Sequence, residues 1–328
     1  SGTCLMLTVL KDNIIKSLQS GGGISHYWDS IYTRLDNDFN VMDVDARYWM
    51  RYARIPDTLN HAHIAHSSYY RFSNNRHAKN ITTIHDFVYE QFVRGIKRSI
   101  HKRQKEAAVF HSKSIICVSN TTKNDLLKFY PNYSDKNIHV IYNGFNILDV
   151  LPQKPGCMCV SEDFFLFVGS RASYKNFLFA VEISTIAKKK LIIVGGGRLS
   201  RKEKSYLNSA IGSEFQHIVW ASNNELKWLY SNAYALLYPS SYEGFGMPPL
   251  EAAYQGCFAF CLSTPSNKEI YGGFLPLYSK FDPAGAADFI AKNCNVDFLS
   301  SKENLFQTYN WDISSEKTKI LFNETVQP

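Results

Sequence analysis

The sequence predicts an α/β protein made of two doubly wound parallel-sheet domains facing a cleft. Three observations predict it: a length of 328 residues, an alternation of strand-like and helix-like segments, and a proline-rich stretch after which that alternation restarts. A chain of this length is too long for one ordinary core and fits two of about 150 residues each. Hydrophobic residues make up 45% and aromatics 14%, enough apolar material for two packed cores, which excludes a disordered chain.

The first series reads as a strand at 5–10 and a helix at 24–35, a strand at 82–85 and a helix at 91–108, a strand at 114–118 and a helix at 121–130, then a strand at 138–142. Residues 148–163 contain Pro152, Pro155 and Gly156 and read as the interdomain connection. The second series has strands at 164–168, 191–194, 218–220, 235–238 and 258–262, with helices at 177–188, 202–210, 225–231 and 250–255 between them. Alternation of this kind implies parallel sheets covered by helices, with ligands at the C-terminal ends of the strands. The expected domains are therefore 1–150 and 151–308.

Composition bounds the class further. No run of 18 or more apolar residues occurs, and the first residues carry neither a basic segment nor a secretory hydrophobic region, so a soluble cytoplasmic protein is expected. The seven cysteines are odd in number and mostly lie in apolar runs, as reduced core thiols do. Cys157 and Cys159 are too closely spaced for a Cys-x2-Cys pair and have no second pair, so no metal site is expected there. The net charge of +7 is concentrated in residues 1–150, with 19 Lys and Arg against 13 Asp and Glu, while 151–328 hold 17 against 16.

The most informative segment is Glu243-Gly-Phe-Gly-Met-Pro-Pro-Leu-Glu251, after the apolar run Tyr234-Ala-Leu-Leu-Tyr238. It reads as strand, loop, helix, with Glu243 on the loop and Glu251 about one turn into the helix, because prolines suit a first helical turn. Carboxylates only accept hydrogen bonds, so two of them can grip vicinal hydroxyls, and the amides of the loop and helix start favour an anion such as a diphosphate. An isolated Glu pair is equally read as one solvated loop residue and one at a helix start. Phe164-Phe-Leu-Phe-Val-Gly169-Ser-Arg171-Ala-Ser-Tyr-Lys175-Asn176 ends a strand with a glycine and two cations, suited to a diphosphate or simply solvated. Gly21, Gly22 and Gly23 lie between the first strand and first helix, where a phosphate or acceptor can approach the backbone. His85 and Asp86 close another strand. Gly195 ends a strand as Gly195-Gly-Gly197, but Ser200 stands where a Gly-x-Gly-x-x-Gly motif needs its third glycine, so a nicotinamide cofactor is poorly supported.

The Glu243 to Glu251 segment resembles the Glu-x7-Glu motif of retaining glycosyltransferase family 4, a family of GT-B fold with two Rossmann-like domains. The resemblance extends to the Gly169, Arg171 and Lys175-Asn176 segment, the Gly-Gly-Ile loop and the His-Asp pair, and covers nearly the whole chain. It implies that Glu243 contacts the donor sugar and Glu251 the ribose, with Gly244, Phe245, Gly246, Met247, Gly169 and Gly195 about the nucleotide. It further implies that Arg171 and Lys175 face the diphosphate, Gly21 to Gly23 the phosphate and acceptor, and His85 the transferred sugar. Residues 309–328 resemble the last helix of the family, which crosses back to the first domain. Tyr142-Asn-Gly-Phe-Asn146 departs from the family's Asn-Gly-Val-Asp segment and is assigned no contact.

The activity implied is transfer of a hexose, with mannose as a guess at the sugar, from a nucleoside diphosphate to a growing bacterial glycan on a lipid diphosphate carrier. The resemblance also implies a metal-independent site and no cofactor. A sugar-nucleotide epimerase, a storage-glucan phosphorylase or synthase, and a non-catalytic nucleotide-sugar-binding protein are the alternatives.

Residues 94–105 carry six Lys and Arg and no acid. On one continuous helix Arg94, Lys97, Arg98, Lys102 and Lys105 gather opposite Phe92, Val93, Ile96 and Ile100. That cationic face suits an anionic membrane, at the cytoplasmic side of the inner membrane, or a phosphate-bearing lipid acceptor, and otherwise is an ordinary solvated face. No nucleic-acid-binding motif accompanies it.

Overall fold

The computed structural model describes residues 6–19, 21–56, 61–158, 163–295 and 302–327. Leu5, Cys4, Ser20 and Cys159 lie outside them. The chain divides into two compact units, Ser1–Gly144 with Tyr309–Pro328, and Phe145–Thr308. The passage between units falls at Gly144 and Phe145, ahead of the proline-rich segment. That segment is fastened to the second unit, where Gln153 donates its amide to the Asn224 carbonyl and Asn224 Nδ2 donates to the Leu151 carbonyl.

The first unit holds a six-stranded parallel sheet ordered β2-β1-β3-β4-β5-β6. Its strands are β1 Thr8–Asp12, β2 Asn40–Val44, β3 Ile64–Ser68, β4 Lys79–Ile84, β5 Ser112–Cys117 and β6 Asn137–Val140. Helices α1 Ile14–Leu18, α2 Gly23–Leu35, α3 Val88–Phe92, α4 Ile96–His111 and α5 Asn120–Phe129 connect them, and α13 Trp311–Val326 packs on α2. Tyr48–Tyr52 forms a short 3₁₀ turn after β2. The core includes Val9, Ile31, Ile81, Ile115 and Leu126, all at most 1% exposed. Complete burial of such side chains stabilises by about 1.5–3 kcal/mol each.

The second unit holds a five-stranded parallel sheet ordered β11-β10-β7-β8-β9. Its strands are β7 Phe164–Val168, β8 Leu191–Val194, β9 Phe215–Ile218, β10 Ala233–Tyr238 and β11 Ala259–Cys261. The helices are α6 Phe177–Ala187, α7 Arg201–Ile211, α8 Asn223–Asn232, α9 Pro248–Tyr254, α10 Pro265–Tyr271, α11 Pro283–Asn293 and α12 Lys302–Thr308. β7 and β8 read Phe-Phe-Leu-Phe-Val and Leu-Ile-Ile-Val; such continuous apolar runs are what a strand needs when helices cover both faces. In each sheet the chain reverses its direction of strand addition once, between β1 and β3 and between β7 and β10. Those switch points open a crevice at the C-terminal strand ends.

Two expectations are corrected. The single helix expected at 91–108 is two, α3 and α4, separated at Val93 to Gly95, with Gly95 at φ 74°. The break resets the helical phase, so α4 buries His101, Lys105, Ala108 and Val109. Lys105 leaves the cationic face altogether. Ile96 and Ile100, expected inward, are 79% and 41% exposed, and Arg94, Lys97, Arg98 and Lys102 are exposed with them. The strand expected at 218–220 lies instead at Phe215–Ile218, leaving Val219 and Trp220 exposed after its end. Of the described cysteines, Cys117, Cys257 and Cys261 are buried thiols, whereas Cys157 is exposed.

Candidate active site

The loops that carry Lys175 and Glu243 meet above the β7/β10 switch point. Gly169 to Asn176 follow β7, and Pro239 to Met247 follow β10. The two loops are tied by Ser241 donating its amide to the Tyr174 carbonyl and by Asn176 Nδ2 donating to Pro239 O at 2.8 Å and Ser241 Oγ at 2.6 Å. Across this join Lys175 Nζ donates to Glu243 Oε1 at 2.6 Å and to the Tyr238 hydroxyl at 3.2 Å. The side chains of Lys175 and Glu243 are 13% and 11% exposed. A cation and a carboxylate therefore stand side by side, little screened by water, where a ligand's charge would be strongly felt.

Arg171 is committed differently. Its Nε donates to Glu203 Oε1 at 2.6 Å, and its terminal nitrogens donate to the carbonyls of Gly195, Gly196, Gly197 and Arg198. Glu203 in turn caps α7 through Ser200, and these contacts hold its carboxyl down at about 2 against the pull of burial. Arg171 thus fastens the glycine loop after β8 to the loop after β7. Gly195, Gly196 and Gly197 all have φ between 70° and 82°, and a Cβ on Gly196 would lie 2.8 Å from the Gly169 carbonyl oxygen. Only glycine fits both conformation and space there.

Glu251 is buried on α9 and accepts from the Tyr230 hydroxyl at 3.0 Å. Burial raises its pKa to about 7, only partly opposed by Tyr230 and by a backbone hydrogen bond from Asn146. Gly244 and Phe245 are buried below the loop, and the Tyr271 hydroxyl donates to the carbonyls of Phe245 and Gly246, at 3.1 and 2.5 Å. Met247 precedes α9 as its cap residue. A cavity of about 200 Å³ that the sequence did not reveal opens beside Ser241, lined by Leu262, Thr264, Tyr278 and Lys280 among others.

In the first unit, His85 directly follows β4 and Gly21 to Gly23 lead into α2, whose cap residue is Gly22. The His85 ring meets the Tyr27 ring edge-on at 4.9 Å. Burial, and then the Lys105 charge, lower its pKa to about 3, so its imidazole is neutral at physiological pH. Behind it runs a buried relay missed in the sequence, in which His66 bonds Tyr32 and Thr83 at 2.8 Å each and Tyr27 bonds Thr83 at 3.2 Å. Asp12 and Arg71 form a buried ion pair of 3.0 Å at the β1/β3 switch point. Burial outweighs Arg71 and raises the Asp12 pKa to about 6. The only sequence signal for this pair was the position of Asp12 at a strand end.

Comparison with known proteins bears on the family. Residues 160–274 match the model of the glycosyl transferases group 1, and residues 26–147 match that of glycosyltransferase family 4. The O-antigen chain mannosyltransferase RfbU of Salmonella typhimurium is 32% identical over 177 residues, which are 52% of this chain and 48% of that protein. The capsular polysaccharide biosynthesis glycosyltransferase CapH of Staphylococcus aureus is 26% identical over 53% of this chain and 50% of its own length. The chain thus spans about half the length of the curated relatives it matches. Two solved structures share the fold over nearly their full lengths. Sucrose-phosphate synthase from Thermosynechococcus elongatus has TM-score 0.72 and 14% identity, with 97% of this chain and 98% of that one covered. Anabaena HepE, solved with UDP and glucose, has TM-score 0.69 and 12% identity, with 97% and 100% covered.

The fold is GT-B, an architecture of nucleotide-sugar enzymes. Within that class the chain belongs to glycosyltransferase family 4, with bacterial polysaccharide glycosyltransferases as its relatives.

Proposed function

We propose that this protein is a retaining hexosyltransferase that moves a sugar from a nucleoside diphosphate to a hydroxyl of a bacterial surface glycan on a lipid diphosphate carrier. The observation that carries this reading is the 2.6 Å contact of Lys175 with Glu243 at the switch point. Lys175 would meet the diphosphate as it departs, where negative charge grows in the transition state. Glu243 would hold the sugar hydroxyls, and Glu251 the ribose. Arg171 supports the same side through the glycine loop it braces. The bond from the anomeric carbon to the diphosphate breaks, the acceptor hydroxyl attacks from the same face, and its proton passes to the departing phosphate oxygen. With protein cations in these places no divalent metal is required. Mannose is the sugar favoured by the names of two relatives, in Salmonella typhimurium and Escherichia coli.

Thermal unfolding with GDP, UDP, ADP and TDP, each with and without EDTA, tests this. One nucleotide is expected to stabilise by about 2.7 kcal/mol at roughly 100 times its Kd, without regard to EDTA, and Glu251→Ala should abolish the shift. No shift with any nucleotide would overturn the donor site. Ribose hydroxyls donate, so the ionised form of Glu251 is the one that binds. With its pKa near 7, affinity should rise roughly tenfold between about pH 6 and pH 8, and be flat in Glu251→Gln.

A lipid-linked acceptor would place the enzyme on the cytoplasmic face of the inner membrane. No helix among the described residues is long and apolar enough to cross a membrane. The surface that supports peripheral contact is the α3 to α4 turn, where Phe92, Ile96 and Ile100 are exposed beside Arg94, Lys97 and Arg98. Apolar anchors among cations suit an anionic bilayer. Co-sedimentation with vesicles containing phosphatidylglycerol is expected to fall sharply in Ile96→Ser/Lys97→Ser/Arg98→Ser; equal binding by that variant would remove this surface from the proposal.

A further inference from the structure

We propose that the first unit carries a second anion site, at the N-terminal edge of its sheet, that binds phosphate groups. A cavity of about 720 Å³ opens there, and its cationic lining is Arg76, Lys79, Lys113 and Lys136, with His111 beside them. All but Arg76 lie at the starts of β4, β5 and β6 or next to them. The parallel register sets Asn80 against Ser112 and Ser114 against Asn137, which brings Lys79, Lys113 and Lys136 onto neighbouring strand ends. Asp135 is the one carboxylate in the lining. Among the described residues, none of Arg76, Lys79, Lys113 and Lys136 makes an ion pair.

The cluster is constructed as well as charged. Lys136 Nζ donates to the Phe110 and Ser112 carbonyls at 2.7 and 2.9 Å, which fixes it across the end of α4. The His111 ring stacks on Phe72 at 4.0 Å, and Arg54 lies 5.5 Å from the other partner of that stack. Neighbouring cations also act on one another: after burial, Lys113 lowers the Lys136 pKa, and Arg54 and Lys136 lower that of His111. Like charges held together with a single carboxylate among them raise the energy of the empty site and favour an anion that bridges them. Arginine and lysine heads from several elements suit the oxygens of two or more phosphates. No aromatic ring other than His111 lines the cavity, so stacking of a base contributes little and the phosphates are what is recognised.

This site is distinct from the candidate active site of the same unit. α4 leaves the strand edge that carries His85 and ends at the opposite edge, and its 16 residues span about 24 Å. Its occupant is a phosphate cluster, either soluble or on a lipid headgroup.

Calorimetric titration with inorganic tripolyphosphate at fixed ionic strength tests the site, read as the difference between the parent and its cluster variants, to which the donor site contributes equally. Binding is expected, and Lys79→Glu/Lys113→Glu should weaken it at least tenfold, with Lys79→Gln/Lys113→Gln in between. Both lysines are exposed, so the unfolding temperature without anion should hold. A parallel arm uses phosphatidylglycerol vesicles with the same variants. Loss of vesicle binding names a headgroup as the source, and loss for tripolyphosphate alone names a soluble phosphate. Binding of both probes unchanged by charge reversal, or no binding of either, overturns the proposal. Neither result depends on whether the protein transfers sugar.

Discussion

Lys175→Ala is expected to lower kcat about 10²–10³-fold, the usual cost of removing one preorganised group that meets transition-state charge. Nucleoside diphosphate affinity should fall much less, because the ground-state diphosphate is also held by loop amides while Lys175 meets the extra charge. Lys175→Arg should recover only part of the loss, since a planar guanidinium cannot take up the point contact with Glu243 and the Tyr238 hydroxyl that the ammonium makes. Steady-state kinetics with the donor identified by thermal shift, alongside nucleotide titration, check this. A kcat within threefold of the parent in Lys175→Ala would mean that the contact with Glu243 is structural and that leaving-group stabilisation lies elsewhere.

The largest expected effect on stability is at Lys105. Its ammonium is fully buried, 2.8 Å from Glu90 Oε2 and 2.8 Å from the Asp86 carbonyl, with the Phe87 ring 4.2 Å away. Burial is the main force lowering its pKa, and Glu90 is the main one opposing that. Lys105→Met removes the cation and strands the buried Glu90 carboxylate, at a cost of about 3–5 kcal/mol. The double variant Lys105→Met/Glu90→Leu should regain most of that, because apolar replacement of a whole buried pair is often neutral and Tyr130 keeps its second acceptor, the Lys102 carbonyl at 3.1 Å. Urea unfolding of the three variants gives the coupling energy. If the double variant is no more stable than Lys105→Met, the energy lies in packing around Phe87 and Tyr69 rather than in the unpaired charge.

The elements that carry the candidate site were legible because their signals are local. β7 and β10 are continuous apolar runs, the loops after them hold their glycines and charges within a few residues, and the Pro-Pro pair marks the start of α9. What the sequence hid depends on contacts between distant segments. Lys105 looked solvent-facing because its partner Glu90 lies on the other side of a helix break that one glycine produces. β3 escaped notice because Ile-Ala-His-Ser-Ser is half polar, yet it is wholly buried, with His66 satisfied by residues 17 and 34 positions away. β2 has an exposed to half-buried pattern with no clean alternation, so neither strand period is visible. Arg171 was read as free to face a phosphate. Its engagement by Glu203 and four backbone carbonyls requires knowing how the loop after β8 curls.

The path of the chain through the first unit bears on the order in which the protein can fold during synthesis. That unit is discontinuous: its sheet is complete by Val140, but α13, which packs on α2, is made only after the whole of the second unit. Phe322 on α13 meets Phe39 and His66 at 5.5 and 5.1 Å, and Thr325 bonds Ser114 at 2.9 Å, deep in the core of that unit. The second unit is one uninterrupted stretch and can close as soon as it has left the ribosome. The first must wait with an apolar flank uncovered until residues 311–326 emerge. The half translated first is thus the half finished last, and a ribosome stalled before α13 would present that flank to chaperones.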